Sequence, residues 1–475
     1  MKRVVAFFAL VGAIALVTWQ TGFTSQQVLA VTVFSAFIVG TLLYWPFRLA
    51  FALVGIAVLL AARLVDIPHL IEFASLDVIL FLIGMMTLIG FLEERRFFEA
   101  IVEKSLPYVG HSAYALMLAV MIMAFFSAAL VDEVTSILFM TAIVLRIARR
   151  FKLDPVPYII MTVFATNIGS AATVVGNPIG VLIALRAGLS FPDFLRWATP
   201  IALAALVLTL ILSFLYYRRQ IGQLNAAIHQ EDLAAEVAAA DVAAHAGNPD
   251  PAHGEGAYGQ SSLVFPTLLF VGTITGLILH KQIEHWLHLE PNTMLVGVAL
   301  LAAGIVLLVE RYRARELVER RVDWWTLTFF LLLFASAGTL RFVGVTERLA
   351  EGMVNATGGN VTKLMMAVTW SIGALTALMD NVLAVASFIP IVGDLAAQGI
   401  PVEPLWWGML FGGTILGNLT LIGSTANIVA LGLLERQERR HVGFLEWFWP
   451  GAVTAIPSLA LATLLLYLQL PLLLG

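Results

Sequence analysis

Two residue pairs set the chemical question: Asp132–Glu133 within ALVDEVTSILFMTAIV (129–144) and Asp380–Asn381 within ALMDNVLAVASFIPIV (377–392). Each pair interrupts a run that otherwise reads as membrane-buried. An ionised aspartate at the centre of a membrane helix costs about 2.5–3.5 kcal/mol on insertion scales, so such acids are expected to face water, a cation or a proton path. Acids in that setting suit proton or cation exchange. The competing reading is structural, an aspartate capping the N–H groups of a helix start. Glu133 adds a further choice, because at a hairpin tip it points either into a site or out to solvent.

Two more clusters could bind a solute. ATNIGSAATVVGNPIG (165–180) offers Asn167, Ser170, Thr173 and Asn177, and GGTILGNLTLIGSTANI (412–428) offers Asn418, Thr420, Ser424, Thr425 and Asn427. Glycine and short polar residues at this density suit a membrane helix that breaks, since freed backbone groups are tolerated only when buried in protein or lining a wet cavity. The half-helix N-termini would then present N–H groups to an oxygen-rich or anionic solute, with hydroxyls and amides completing its shell. Against this, Ser170, Thr173 and Thr425 are also the residue types that let membrane helices pack closely.

These residues must be held by membrane helices. The chain is 60% hydrophobic and 12% charged over 475 residues, with a mean hydropathy of +0.92. A soluble domain carries about 25% charged residues. Apolar runs of roughly 17–25 residues recur throughout, each able to cross a hydrocarbon core of about 30 Å, so the fold class is an all-α polytopic membrane protein. The net charge of −4 gives no reason to expect nucleic acid, and the lack of cysteine excludes disulfides, thiolate metal sites and sulfur nucleophiles. The N-terminus, MKRVVAFFALVGAIALVTWQ, begins as signal peptides do but has no convincing small-residue cleavage site, and is expected to remain as a first helix. His285 and His288, close to His280, are expected in an outside loop beside Trp286, solvated rather than holding a metal. No cofactor is expected, and no acid, base and nucleophile cluster stands apart to mark an enzyme.

The clusters also repeat. Asp132 aligns with Asp380 and Thr166 with Thr414, both 248 positions apart, while Thr173 aligns with Thr420 at 247. Charge gives the orientation of the copies. Arg146, Arg149, Arg150 and Lys152 follow the first acidic segment, whereas GDLAAQGIPVE after the second has no Lys or Arg; Arg186 alone follows the first polar cluster, whereas Arg436, Arg439 and Arg440 follow the second. Positive residues mark the cytoplasmic side, so the repeats are inverted. All Arg-rich loops fall on one side only if the segments at 113–145 and 363–392 are re-entrant helical hairpins. The expected plan is an N-terminal helix (1–26), a first inverted repeat (27–219, broken helix near 157–185), a cytoplasmic linker (220–262) and a second inverted repeat (263–475, broken helix near 405–434). This gives about eleven spanning helices and two hairpins. The segment RRFFEAIVEKSLPYVG reads as an interfacial helix, AAIHQEDLAAEVAAADVAA as a surface helix in the linker, and GNPDPAHGEGAYGQSS as flexible by composition.

At SAALVDEVTSILFMTAIV, KLDP, FATNIGSAATVVGNP, LMDNVLAVASFIPIV and GNLTLIGSTANIVA the chain resembles the ion transporter superfamily, in its arsenite pump and melanosomal P-protein branch. The resemblance covers nearly the whole chain. It implies an elevator-type secondary transporter in the cell (inner) membrane, with a scaffold that carries a homodimer interface and a transport domain that holds both hairpins and both broken helices. A soluble ATPase partner is also implied by it. Family hairpin tips usually read Asp-Asn, as at Asp380–Asn381, but the first tip here reads Asp132–Glu133. Family members often have Gly-Asp-Pro-Pro-Asn in the first broken helix, where this chain has Gly176-Asn177-Pro178-Ile179-Gly180. An acid is gained at the hairpin and one lost at the broken helix.

The leading functional expectation is proton-coupled efflux of arsenite or antimonite, the uncharged trihydroxide being held by hydrogen bonds without thiols. Asp132, Glu133 and Asp380, with Asn381, would handle the coupling proton, and the nine polar residues of the broken helices would shape the solute shell. A sodium/proton antiporter or a sodium-coupled carboxylate or oxyanion carrier uses the same scaffold, and an anion channel is the reading from a different class.

Overall fold

The computed structural model describes residues 2–98, 100–101, 112–230 and 263–474. The interfacial segment expected at 95–110 and the linker beyond residue 230, with Glu231, Asp232, Glu236, Asp241, Asp250 and Glu255, lie largely or wholly outside the described residues. The described residues are helical throughout, without strands. Nine helices among them are long and apolar enough to cross a membrane. Eight of the eleven spanning helices expected from the sequence are among them, the ninth being Ala113–Leu130 of the first expected hairpin. The other three are the shorter Trp45–Ala61 and the two helices expected to break, which appear as Val156–Ser170 with Pro178–Ala187 and Glu403–Ile415 with Thr425–Glu438.

Four breaks position the candidate site. Helices Ala113–Leu130 and Glu133–Arg150 pack together as a first hairpin joined by Val131 and Asp132, and Val361–Thr376 and Asn381–Ala397 form a second joined by residues 377–380. The first interrupted helix runs Val156–Ser170, then a 3-10 turn at Val174–Gly176, then Pro178–Ala187. The second runs Glu403–Ile415, a 3-10 turn at Leu416–Leu419, then Thr425–Glu438. Pro178 suits the first position of a restarting helix, where its missing N–H costs nothing.

Burial separates the centre from the periphery. Every residue of Val156–Ser170 is buried, as is every residue from Pro404 to Ile415, so neither half-helix has an outward face. By contrast, only Val11 and Thr18 are buried in Lys2–Gln20, whose exposed face carries Val5, Phe8, Leu16 and Trp19. A helix apolar all round and buried belongs to a core, and an apolar face left open belongs in lipid.

Some elements depart from the sequence reading. His280 and His285 lie on the helix Val264–Leu287, and His288 is its C-cap, so none stands in an open loop. His280 is fully buried, its Nδ1 2.7 Å from the Leu277 carbonyl oxygen. A short helix at Ile67–Phe73, capped by Asp66, and an amphipathic helix at Val345–Thr357 have no counterpart in that reading; both are too short or too polar to register as apolar runs.

The interrupted helices press hard on the hairpins. A Cβ added to Gly169 would collide with the Phe125 carbonyl and sit 2.6 Å from Phe125 Cα, on the first hairpin. Gly169→Ala is expected to destabilise the protein by roughly 1–3 kcal/mol, read as a lowered unfolding temperature of the purified chain in detergent. Gly272→Ala, with open space around its Cβ, is the matched control and leaves that temperature unchanged.

Candidate functional site

The acids at the two breaks have matching local roles. Asp132 Oδ1 accepts hydrogen bonds from the N–H groups of Val134 (2.7 Å) and Thr135 (2.9 Å). Asp380 Oδ1 accepts from Val382 N–H (3.0 Å), and its Oδ2 accepts from the Thr425 hydroxyl (2.6 Å). Both aspartates therefore cap the second helix of their hairpin, as the structural reading of the sequence has it.

Thr173 and Thr420, aligned in the repeat, also make matching bonds. The Thr173 hydroxyl donates to the Ala129 carbonyl and the Thr420 hydroxyl to the Ala377 carbonyl (2.6 Å). Each ties an interrupted helix to the tip of its own hairpin. Asn177 and Ser424 cap the restarting half-helices, Asn177 Oδ1 accepting from Gly180 N–H (2.7 Å) and Ser424 Oγ from Ala426 N–H (3.2 Å).

The remaining polar residues converge between the repeats. Asn167 Nδ2 donates to Asn418 Oδ1 (2.7 Å) and Asn427 Oδ1 (2.8 Å). Asn427 Nδ2 donates to the carbonyls of Gly417 and Thr420, both at 2.8 Å, and Asn177 Nδ2 to Ser170 Oγ at 2.9 Å. Ser424 Oγ donates to Asn167 Oδ1 at 3.0 Å. These side chains do two jobs: they join the interrupted helices to each other, and they pair carbonyls that the break in the second helix leaves without helical partners.

Glu133 sits where the elements meet. It is only 2% exposed, which settles its orientation against the solvent-facing option. Asn381 Nδ2 donates to its Oε1 (3.2 Å), Ser170 Oγ donates to its Oε2 (3.1 Å), and Ser424 Oγ lies 3.5 Å from Oε1. Glu133 and Asn381, partners in the sequence repeat, thus touch each other. All three partners are neutral. A buried charge without a counter-charge is costly unless a proton or cation joins it, so this carboxyl group has the chemistry of a proton or cation site.

A cavity of about 450 Å³ opens onto this cluster. Its wall includes Asp132, Glu133, Asn177 and Thr425, and at its other end Arg320, Arg321 and Asp323. Six α-helices contribute first-turn residues to it, namely Arg48, Glu133–Thr135, Pro178, Thr326, Val382 and Thr425. Helix N-termini carry unpaired N–H groups and favour negative charge nearby. Of the residues expected in the site, Glu133, Asn381, Asn167, Ser170, Asn177, Asn418, Ser424 and Asn427 form one connected network, joined through Glu133 to its neighbour Asp132; Asp380 and Thr425 pair beside it, and Thr173 and Thr420 bond to the hairpins. The sequence reading missed Trp447, whose Nε1–H donates to the Asn418 carbonyl (3.0 Å), and Arg48, which also lines the cavity. Arg48 carries a signal, an isolated arginine in TLLYWPFRLAFALV with no other charge nearby in sequence.

Comparison with known proteins agrees with this architecture. A family model described as CitMHS, citrate transporter, matches residues 41–412. An uncharacterized transporter of Mycobacterium tuberculosis is 31% identical over 396 residues, covering 83% of this chain and 86% of its own length. The 46 kDa membrane protein of Mycobacterium leprae is 31% identical over 402 residues, with the same two shares. The human P protein is 26% identical over 445 residues, 81% of this chain and 52% of that protein.

Asn427 carries the most structural weight of the network's amides. Asn427→Ala leaves the Gly417 carbonyl unpaired in a buried setting, at about 1–3 kcal/mol, and leaves the Thr420 carbonyl with only the Gly423 N–H (3.3 Å). The expected outcome is a drop in thermal stability larger than that of Ser424→Ala, measured on the purified proteins side by side.

Proposed function

The chain belongs to the citrate transporter (CitMHS) family and is a secondary transporter, and from that premise we propose that it couples movement of a small oxygen-rich solute to protons exchanged at Glu133. The observation that carries the reading is the position of Glu133, a buried carboxyl group in contact with Ser170, Asn381 and Ser424 from three other elements. Taking up or losing a proton changes what Glu133 can donate to or accept from each of them. Protonation and the shape of the solute shell are thereby linked through the same three contacts.

In this reading the hairpins and interrupted helices move as one body against the remaining helices, and the arginine-rich loops face the cytoplasm across a cell membrane. Asn167, Ser170, Asn177, Asn418, Ser424 and Asn427 supply hydrogen bonds suited to the uncharged hydroxides of arsenite or antimonite. A second reading, a carboxylate or oxyanion carrier, is supported by the six helix N-termini at the cavity and by the name of the matching family.

Glu133→Gln tests the coupling. Glutamine keeps an oxygen for Asn381 to donate to and a similar volume, but it cannot exchange a proton. Proteoliposomes carrying the variant are expected to lose proton-driven accumulation of the transported solute at least tenfold and to lose the dependence of rate on pH, while exchange of labelled against unlabelled solute persists. A variant that retains both the rate and the pH dependence of the unaltered protein rules Glu133 out as the coupling group.

A further inference from the structure

Arg48 is the charged residue of the cavity that the proposed coupling leaves unused. It begins the helix Arg48–Ala61, where a positive charge is disfavoured by the helix dipole, and it stands among apolar segments where an arginine is expensive. Both costs ask for a role. Its guanidinium donates one hydrogen bond, to Thr326 Oγ1 at 2.9 Å, and Thr326 in turn donates to Asp323 Oδ2 at 2.6 Å. The planar group lies over the Trp45 ring, 4.5 Å from its centroid, and 5.6 Å from that of Phe329. Stacking and a single hydrogen bond fix its orientation while leaving most of its five N–H donors uncommitted.

The other charges of the cavity wall are engaged differently. Arg321 pairs with Glu93 (3.1 Å) and Glu94 (3.4 Å), and Arg320 pairs with Glu316 (3.0 Å). Asp132 caps its helix and Asp323 caps the helix Trp324–Phe342. No carboxylate lies within ion-pair distance of Arg48 among the described residues, although its charge interacts with Asp380 and Asp323 across the cavity. An oriented guanidinium with free donors, opening into the same space as five other helix N-termini, has the chemistry of an anion receptor.

We propose that Arg48 is a specificity-determining residue that binds the negative charge of an anionic solute, a carboxylate or an oxyanion, in the cavity beside Glu133. The proposal rests on the transport reading above and deepens it by naming the charge of the solute. A two-pronged guanidinium pairs with two oxygens of one carboxylate or phosphate-like group. A neutral hydroxide gains much less from it, so Arg48 separates the two solute classes that the hydrogen-bonding shell alone accepts.

Two measurements on the full chain test this and separate its failure from that of the transport reading. The first is anion-dependent thermal stabilisation of the purified protein by citrate, succinate or inorganic phosphate, compared with arsenite at neutral pH. At least one of these anions is expected to stabilise the unaltered protein, and Arg48→Gln to abolish that shift while Thr326→Val weakens it. No stabilisation by any of the three, or an undiminished shift in Arg48→Gln, overturns the proposal whether or not transport is seen. The second is proteoliposome flux of the stabilising anion, where Arg48→Gln should raise KM roughly tenfold to a hundredfold, the range for a lost charge-assisted hydrogen bond, with kcat changed much less and Arg48→Lys intermediate. Flux of arsenite alone, unaffected by Arg48→Gln, overturns the anion proposal and leaves the carrier reading standing. Anion binding without any proton-coupled flux defeats the carrier reading and leaves Arg48 as an anion site. Should Arg48→Gln not fold, Thr326→Val carries both measurements, and an unchanged anion shift and KM in it overturn the proposal.

Discussion

Breaking a helix at membrane depth frees backbone N–H and C=O groups that lipid cannot satisfy, and each one left unpaired in a buried setting costs more than a typical hydrogen bond returns. The chain breaks in four places and meets that demand locally each time. Asp132 and Asp380 take N–H groups at the hairpins, Asn177 and Ser424 do so at the restarting half-helices, and Asn427 takes the carbonyls of Gly417 and Thr420. Thr173 and Thr420 then fasten each interrupted helix to its hairpin. The polar residues of the two repeats are thus first of all the means by which irregular backbone survives at the centre of an apolar body. Their capacity to bind a solute follows from their being there.

The two repeats solve the problem in parallel and differ where it matters chemically. Capping aspartates and fastening threonines occur in both copies, yet the residue after the aspartate is Glu133 in one and Asn381 in the other. Two asparagines would give a neutral, symmetric contact, and two glutamates a repulsive pair. One of each gives a single carboxyl group held by an amide donor, with Ser170 and Ser424 on either side. The contact between the two hairpin tips therefore carries one titratable group, with Asp132 and Asp380 as its acidic neighbours.

The fold class was plain in the sequence because it rests on summed properties, apolar run length and low charge, that tolerate local error. The site was legible in part. Asn167, Ser170, Asn418, Ser424 and Asn427 stood out as polar residues in apolar helices, but their mutual bonds join positions some 250 residues apart and no local pattern encodes them. The orientation of Glu133 turned on which partner it met, information held by the opposite repeat. The role of Thr173 was legible only as a choice between packing and binding and Thr420 only as a binding residue, whereas the hydroxyl of each bonds a carbonyl of its hairpin. Arg48 escaped because an isolated arginine between apolar segments reads as an ordinary loop charge until Thr326, some 280 positions on, is seen beside it.

A cation and a buried carboxyl group that line one cavity also bear on each other. Arg48 is held by Trp45 and Thr326, on helices outside the hairpins and interrupted helices, whereas Glu133 belongs to the first hairpin. The charge of Arg48 acts on Asp380, which caps the second helix of the other hairpin and whose own charge acts on Glu133, and low-dielectric walls strengthen such interactions. A solute or proton that joins either side changes these interactions, so under the proposed movement of the hairpins against the remaining helices, occupancy of the cavity and the energy of each arrangement are joined by electrostatics.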